Sequence, residues 1–374
     1  MMSTKNLRFE FPIIIVRYAT IAIFSAILIT PMFIQVFDLA PSQNLEKREL
    51  AKMPSMEMTK TFAKNFEKYY NDNFGLRSQL INWGSLVKLK VFNSPINNDN
   101  VIVGDNNWIF YNGADGKDAI YDSYTHRDKL NEEDLEEYCQ KLIDKFETNK
   151  RAGIVYIPGF WPQTHTIYPE LLPQKMKMQI RGSTSKADQI IEYLKRTNAA
   201  VQFFDVRQAL LSKKKERRLY LKLDSHWNEL GAFYAYESFL NQRFEQLQVV
   251  PKKITDFEIT WNETTNGDLV NLLGVTTTTA FKDTIPTFTY RHDDIKVEYL
   301  STDGYPEETI ITRCETCTNK KRVLVFRDSY SSAVQRFLSL HFYDITFLWK
   351  KYNQKYVDEY KPDIIIDVRV ERYL

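Results

Sequence analysis

The chain has 374 residues, 43% hydrophobic and 14% aromatic, with only 12 glycines; this excludes a disordered or low-complexity polymer and supports a globular core. Lys plus Arg total 50 against 48 for Asp plus Glu, so there is no basic excess and no nucleic-acid partner is expected. Neither an internal repeat nor a sustained heptad pattern is present.

Lys5 and Arg8 precede a long apolar run, and residues 18–37 (YATIAIFSAILITPMFIQVF) carry no charge, about the 20-residue length that crosses a bilayer. Arg17 at the near end can snorkel to the headgroups. A buried soluble helix is disfavoured because the run has no polar face. A cleaved signal peptide is the alternative, but the run exceeds a usual signal core and the cleavage candidate Ala40 is followed by Pro41. Residues 1–37 are therefore expected to be a cytoplasmic tip and transmembrane anchor. Positive charge before the run places the remainder outside the cytoplasm, periplasmic or extracellular. No second run of this kind follows, so a multi-span transporter is not expected.

Residues 38–92 read as a polar linker and packing helices. Helical apolar spacing covers 61–90, broken near Asn73-Phe74-Gly75. The main domain is expected over 93–374. Residues 101–111 read as a hairpin around Gly104-Asp105-Asn106-Asn107, 127–150 as an amphipathic helix, and 153–158 as a buried strand. Alternation follows: helix 177–197, strand 201–205, helix 230–246, strand 323–326 with a helix after it, strand 343–349, helix 353–360 and strand 363–368. Strands separated by helical crossovers predict an α/β domain with a mostly parallel sheet covered on both faces. Residues about 251–320 break the rhythm, with Thr276 to Thr279 and short alternating runs; they read as a β-rich insertion. Within them, Cys314 and Cys317 form a C-x-x-C pair, which outside the cytoplasm reads as a local disulfide. A zinc site would need two more ligands, and a thioredoxin-like motif would open a helix after a strand. Cys139, in a helical pattern, reads as a buried free thiol.

Two stretches carry candidate chemistry. Residues 323–340 (VLVFRDSYSSAVQRFLSL) pass from an apolar strand through Arg327, Asp328 and Ser329 into a helical pattern. A serine at that junction is placed near free backbone N–H groups that suit an oxyanion, hence a candidate nucleophile. The alternative is that Asp328 or Ser329 is only an N-cap. Residues 221–232 (LKLDSHWNELGA) hold Asp224 and His226 two apart, so an extended segment would point both to one side. An Asp can then hold the His in its working tautomer. Trp227 would form an apolar wall and Asn228 an N-cap; the alternative is a capping turn with an incidental His. Among the other histidines, His126 and His292 sit in polar loop contexts and His341 reads as structural. His165 lies in the segment after the 153–158 strand, at the carboxyl edge of the sheet, where Trp161, Gln163 and Thr164 are candidate substrate contacts. A metal site built from Asp224, His226 and another His has no compact H-x-H or H-E-x-x-H spacing behind it; no metal or cofactor is expected.

Taken together, Asp224-Ser225-His226-Trp227 with Gly231-Ala232, and Arg327-Asp328-Ser329-Tyr330 far downstream, resemble the SGNH-hydrolase-like polysaccharide O-acetyltransferases, the alginate O-acetyltransferase relatives and the DHHW group. Pro158, the Ile167-Tyr168-Pro169-Glu170-Leu171-Leu172-Pro173 stretch and the ending from Pro362 to Leu374 are similar to that family too. The resemblance implies a three-layer SGNH-hydrolase-like fold, with Ser329 as nucleophile, His226 as base and Asp224 as orienting acid. Their order is permuted relative to ordinary SGNH esterases. It further implies a polysaccharide acceptor and a membrane-bound O-acyltransferase that supplies acetyl. Arg327 stands where ordinary SGNH esterases have Gly, and is a candidate contact for an anionic sugar, with Trp227, Tyr330, Trp161 and Gln163 as further candidate substrate contacts. A carbohydrate acetylesterase with the same three residues, or a non-catalytic assembly subunit, are the rival expectations.

Overall fold

The computed structural model describes residues 7–37, 39, 50–55, 61–90, 100–113, 120–273, 281–303 and 309–374. The Ala40-Pro41 pair and the Thr276 to Thr279 run lie outside them. The chain divides into two compact units, residues 1–96 with 271–277, and residues 97–270 with 278–374.

The first unit opens with the Leu7–Val36 helix. Its Ile14–Gln35 part, with mean hydropathy 1.9 and only 6% buried, is long and apolar enough to cross a membrane. The helical spacing of 61–90 forms two helices, Phe62–Asn73 and Arg77–Lys90, and the chain turns between them with Leu76 at positive φ.

The second unit begins with the expected hairpin, β1 (Val101–Val103) and β2 (Ile109–Tyr111). The next helix starts at Glu132, five residues later than the spacing predicts, because Asn131 caps it by accepting from the Asp134 amide. Glu132, Glu133 and Asp134 occupy its first turn and Lys150 and Arg151 its last, both favourable to the helix dipole. Then come β3 (Val155–Trp161), β4 (Phe257–Thr264), β5 (Asp283–Tyr290), β6 (Val297–Asp303), β7 (Thr309–Cys314), β8 (Asn319–Phe326), β9 (Phe342–Leu348) and β10 (Ile364–Val370). The main sheet has the order β3-β10-β8-β9-β7-β6. The first four of these strands are parallel, and β7 and β6 add an antiparallel edge.

Alternation along the parallel strands feeds two layers. Val323, Val325, Ile364 and Ile366 join the core beneath the Glu229–Gln242 and Ser331–Leu338 helices. Leu324, Phe326 and Ile365 face the other way, toward Val357 and Phe146. This is the three-layer α/β arrangement expected for an SGNH-hydrolase-like domain, with a mixed sheet.

Several local expectations change. The 177–197 helix is two pieces, Gln174–Lys177 and Lys186–Arg196; Gly182 at φ +71 breaks it, and a Ser185–Asp188 capping box restarts it. Residues 201–205 form no strand, only a bridge from Phe204 to Gly159. A side chain at Gly159 would collide with the Phe204 ring. The stretch read as an insertion is only partly one: β4 pairs with β5 apart from the main sheet, whereas β6 and β7 build its edge. In β7, Ile310, Thr312 and Cys314 are buried and the residues between them are not, a one-sided pattern that suits an antiparallel strand. Cys314 and Cys317 are disulfide-bonded in the turn between β7 and β8, and Cys139 is a buried free thiol.

Candidate active site

β3, β8 and β10 run parallel, so their carboxyl ends share one edge of the sheet, the usual location of α/β sites. From β8, residues 327–330 turn into the Ser331–Leu338 helix. Asp328 pins that turn. One carboxylate oxygen accepts from the Tyr330 amide (3.0 Å) and the other from the Val370 amide at the end of β10 (2.7 Å). Burial raises the Asp328 pKa against the opposing pull of these amides and Arg372. The Ser329 hydroxyl caps no amide among the described residues; it lies 2.8 Å from His226 Nε2.

His226 arrives on a loop that is folded back and not extended as its spacing suggests. A Tyr220–Trp227 bridge closes the loop, and the Leu221 amide donates to the His226 carbonyl (3.1 Å). Asp224 Oδ1 accepts from both the His226 amide (3.1 Å) and the ring Nδ1 (2.7 Å). The pairing thus comes from a side chain curling onto its own backbone two residues on. With the Nδ1 proton directed at Asp224, Nε2 is the acceptor for the Ser329 hydroxyl. Asn228 caps the following helix, accepting from the Gly231 amide.

Asp268, which the sequence did not single out, completes the cluster. Its amide donates to Asp224 Oδ2 (3.1 Å), and its carboxylate accepts from the Ser225 amide (2.8 Å) and hydroxyl (2.6 Å). Gly267 permits this approach, since a side chain there would run into the Leu223 carbonyl. The Leu269 and Val270 amides donate to that same carbonyl (3.2 and 3.3 Å). The available signal was an acid opening a short apolar helix, Asp268–Leu273.

Burial works against a charged His226. The hydrogen bond to Asp224 and the charges of Asp224 and Asp268 outweigh it, and the imidazole pKa lies above its ordinary value. Burial also disfavours the Asp224 carboxylate, yet its bond to His226 holds its pKa below the usual range. Donor atoms of Asp224, His226 and Asp268 lie within 4.8 Å of one another. The third group there is a carboxylate and not the additional His of the metal alternative. Each member of this set is already engaged in the hydrogen bonds just given.

The candidate substrate contacts are corrected by burial. Trp161, Gln163, Trp227, Arg327 and Tyr330 are each no more than 2% exposed, so none presents a face to a glycan. Trp161 Nε1 donates to Ser331 Oγ (2.9 Å), Trp227 Nε1 to the Tyr330 carbonyl (3.0 Å), and the Tyr330 hydroxyl to the Ser225 carbonyl (2.6 Å). The Tyr330 ring lies 5.0 Å from the His226 ring. These aromatics form the floor that holds the His226 and Ser329 segments together. Gln163 is tied down by its amide to Glu371 (2.8 Å) and its side chain to Ser123 (3.3 Å). Arg327 is packed inside, donating to Ser332 Oγ (3.1 Å) and lying over the Trp349 ring. His165 and His341 are buried, and His341 bonds the Tyr236 hydroxyl (2.5 Å).

A Ser–His–Asp line of this kind can activate a hydroxyl for acyl transfer. No curated protein sequence matches the chain. Among solved structures, PatB1 of Bacillus cereus is similar, with 16% identity over 72% of this chain and 95% of PatB1, and a TM-score of 0.51. A DHHW family protein from Eubacterium siraeum has 17% identity over 74% of this chain and 92% of that one, at a TM-score of 0.50. At such identities these likenesses establish the fold. The model of the SGNH hydrolase-like domain of the acetyltransferase AlgX matches residues 101–304, which include Asp224, His226 and Asp268 and stop before Ser329. That match spans more than half of the chain, which therefore belongs to the family of AlgX-type SGNH hydrolase-like acetyltransferase domains.

Proposed function

We propose that the chain is a membrane-anchored, extracytoplasmic O-acetyltransferase that uses Ser329 to acetylate hydroxyls of a cell-envelope or exported polysaccharide. The observation that supports this most is the continuous line from Asp224 through His226 to Ser329, with bonds of 2.7 and 2.8 Å. Ser329 Oγ attacks the carbonyl carbon of an acetyl ester while its proton passes to His226 Nε2. The tetrahedral oxyanion is met by the Ser329 amide, which donates to no group among the described residues. Collapse expels the donor oxygen, protonated by the imidazolium, and leaves acetyl-serine. A sugar hydroxyl then attacks this ester, giving its proton to His226, and Ser329 regains the proton as it leaves. Outside the cytoplasm no acetyl thioester pool is at hand, so a membrane-bound O-acyltransferase is the proposed source of acetyl. The anchor enters with its N-terminus in the cytoplasm.

The partial exposure of the His226 side chain, 28%, favours one second reading, an acetylesterase in which water takes the acetyl group. The full chain in detergent micelles, given a soluble acetyl ester and a glycan acceptor, distinguishes the two. Acetylated glycan is expected; acetate without it supports the esterase. Ser329→Ala is expected to lower transfer by about a thousandfold or more. Undiminished transfer by that variant rules out the serine mechanism.

A further inference from the structure

The Arg77–Lys90 helix is polarised the wrong way for a soluble packing helix. Asn82 and Ser85 are on its buried side, and the Ser85 hydroxyl donates to the Leu273 carbonyl (3.3 Å). Its exposed side carries Leu80 at 44%, Ile81 at 40%, Trp83 at 68% and Val87 at 47%. Leu80, Trp83 and Val87 follow i, i+3, i+7 spacing and so share one stripe. Gly84, within the same stripe, has nothing within 4 Å of where a side chain would start. Sequence spacing alone assigned these apolar residues to packing, and among the described residues nothing covers them.

The position of this helix relative to the apolar anchor identifies what covers the stripe. The turn that precedes it packs on the anchor: a side chain at Gly75 would strike the Pro31 carbonyl and approach the Gln35 amide at 3.1 Å. Pro31 and Gln35 lie in the last turn of the Ile14–Gln35 segment. The helix therefore starts where the anchor ends. Its ionisable residues are Arg77, Lys88 and Lys90, with no acid among its 14 residues. A basic helix with a Trp- and Leu-bearing face, held at the end of a membrane span, has the composition of an interfacial helix.

We propose that the Arg77–Lys90 helix lies in the outer interface of the bilayer that the Ile14–Gln35 helix crosses, with Leu80, Trp83 and Val87 against acyl chains and the exposed Lys88 toward anionic headgroups. This rests on the membrane-anchor reading and adds to it a second contact that fixes the helix pair on the membrane plane. Its consequence is positional. The acetyl group is received at the membrane, and an anchor alone leaves the following segment free to swivel, whereas a seated helix does not.

The test uses the full chain in vesicles of mixed phosphatidylcholine and phosphatidylglycerol. Leu80→Cys and Val87→Cys are labelled with an environment-sensitive fluorophore. Cys139 stays in place, because it is buried and its thiol is pushed up to about 11 by that burial. Ile27→Cys reports the anchor and exposed Glu133→Cys the aqueous phase. Labels at 80 and 87 are expected to be quenched by shallow spin-labelled lipid. They should also resist aqueous iodide about fivefold more than the label at 133, as for side chains at the headgroup boundary. Protection is expected to weaken when phosphatidylglycerol is omitted. Iodide access at 80 and 87 with Ile27→Cys still protected overturns the interfacial placement and leaves the anchor. Iodide access at all three overturns the anchor reading itself. Protection from both iodide and the lipid quencher means that protein covers the stripe, and equally overturns the proposal.

Discussion

Asp268 places a second carboxylate beside His226 without touching the serine. Its role is one of positioning: it grips Ser225 and, through its amide, Asp224. Its charge also helps hold the imidazolium, whose pKa lies above the ordinary value. A general base must be neutral, so activity is expected to fall as pH drops through that raised pKa. Asp268→Asn keeps the shape and an acceptor for the Ser225 amide but removes the charge. The acidic limb of kcat/KM against pH should therefore move to lower pH, with the plateau changed by about tenfold at most. A limb that stays in place would show that Asp268 acts through shape alone. Asp224, His226 and Ser329 were legible because their residue types sit in recognisable short motifs. Trp161, Trp227 and Tyr330 stood beside those motifs and were read as substrate walls. Which side of a large aromatic faces solvent depends on neighbours far along the chain, and those neighbours bury all three.

At the scale of elements, the Ser331–Leu338 helix carries the serine turn and is held by one ring cluster. Phe337 lies 5.4 to 5.5 Å from the rings of Phe233, Tyr236, Phe257 and Phe288. The cluster joins this helix to the Glu229–Gln242 helix and to the β4–β5 ladder. Phe337→Ala is expected to cost about 3–5 kcal/mol, from lost burial and the cavity left behind. A urea titration followed by circular dichroism measures this as a lower midpoint with an unchanged slope. A midpoint within experimental error of wild type would show that the cluster repacks. Strongly periodic elements such as the Glu132–Arg151 helix and the apolar β8 and β10 were legible because their burial pattern is local. The 201–205 segment was not, because apolar content resembles a strand whether or not a full partner edge is available. The β6 and β7 strands carried the right alternation, but nothing local said that they join the main sheet.

For the whole molecule, the apolar N-terminal helix and the Cys314–Cys317 disulfide both suit the proposed placement of the domain outside the cytoplasm. Alkaline phosphatase fused after Leu374 should be active, since its own disulfides need an oxidising compartment. A green fluorescent protein fused before Met1 should fluoresce in the cytoplasm. The reverse pair of results would overturn the proposed orientation. The sequence by itself determined what short-range chemistry can encode: an apolar run of membrane length, a strand and helix alternation that makes an α/β sheet, and the residue types of an acyl-transfer site. Only the tertiary structure decided how these combine. His226 and Ser329 are 103 residues apart and meet at 2.8 Å because Trp227 and Ser225 bond Tyr330, while parallel pairing brings the ends of β8 and β10 to one edge. The same convergence lets the Val370 amide pin Asp328, while the Leu223 carbonyl draws Asp268 to Asp224 across the Gly267 contact. Such contacts depend on strand register and burial, which are properties of the assembled core and are written in no single segment.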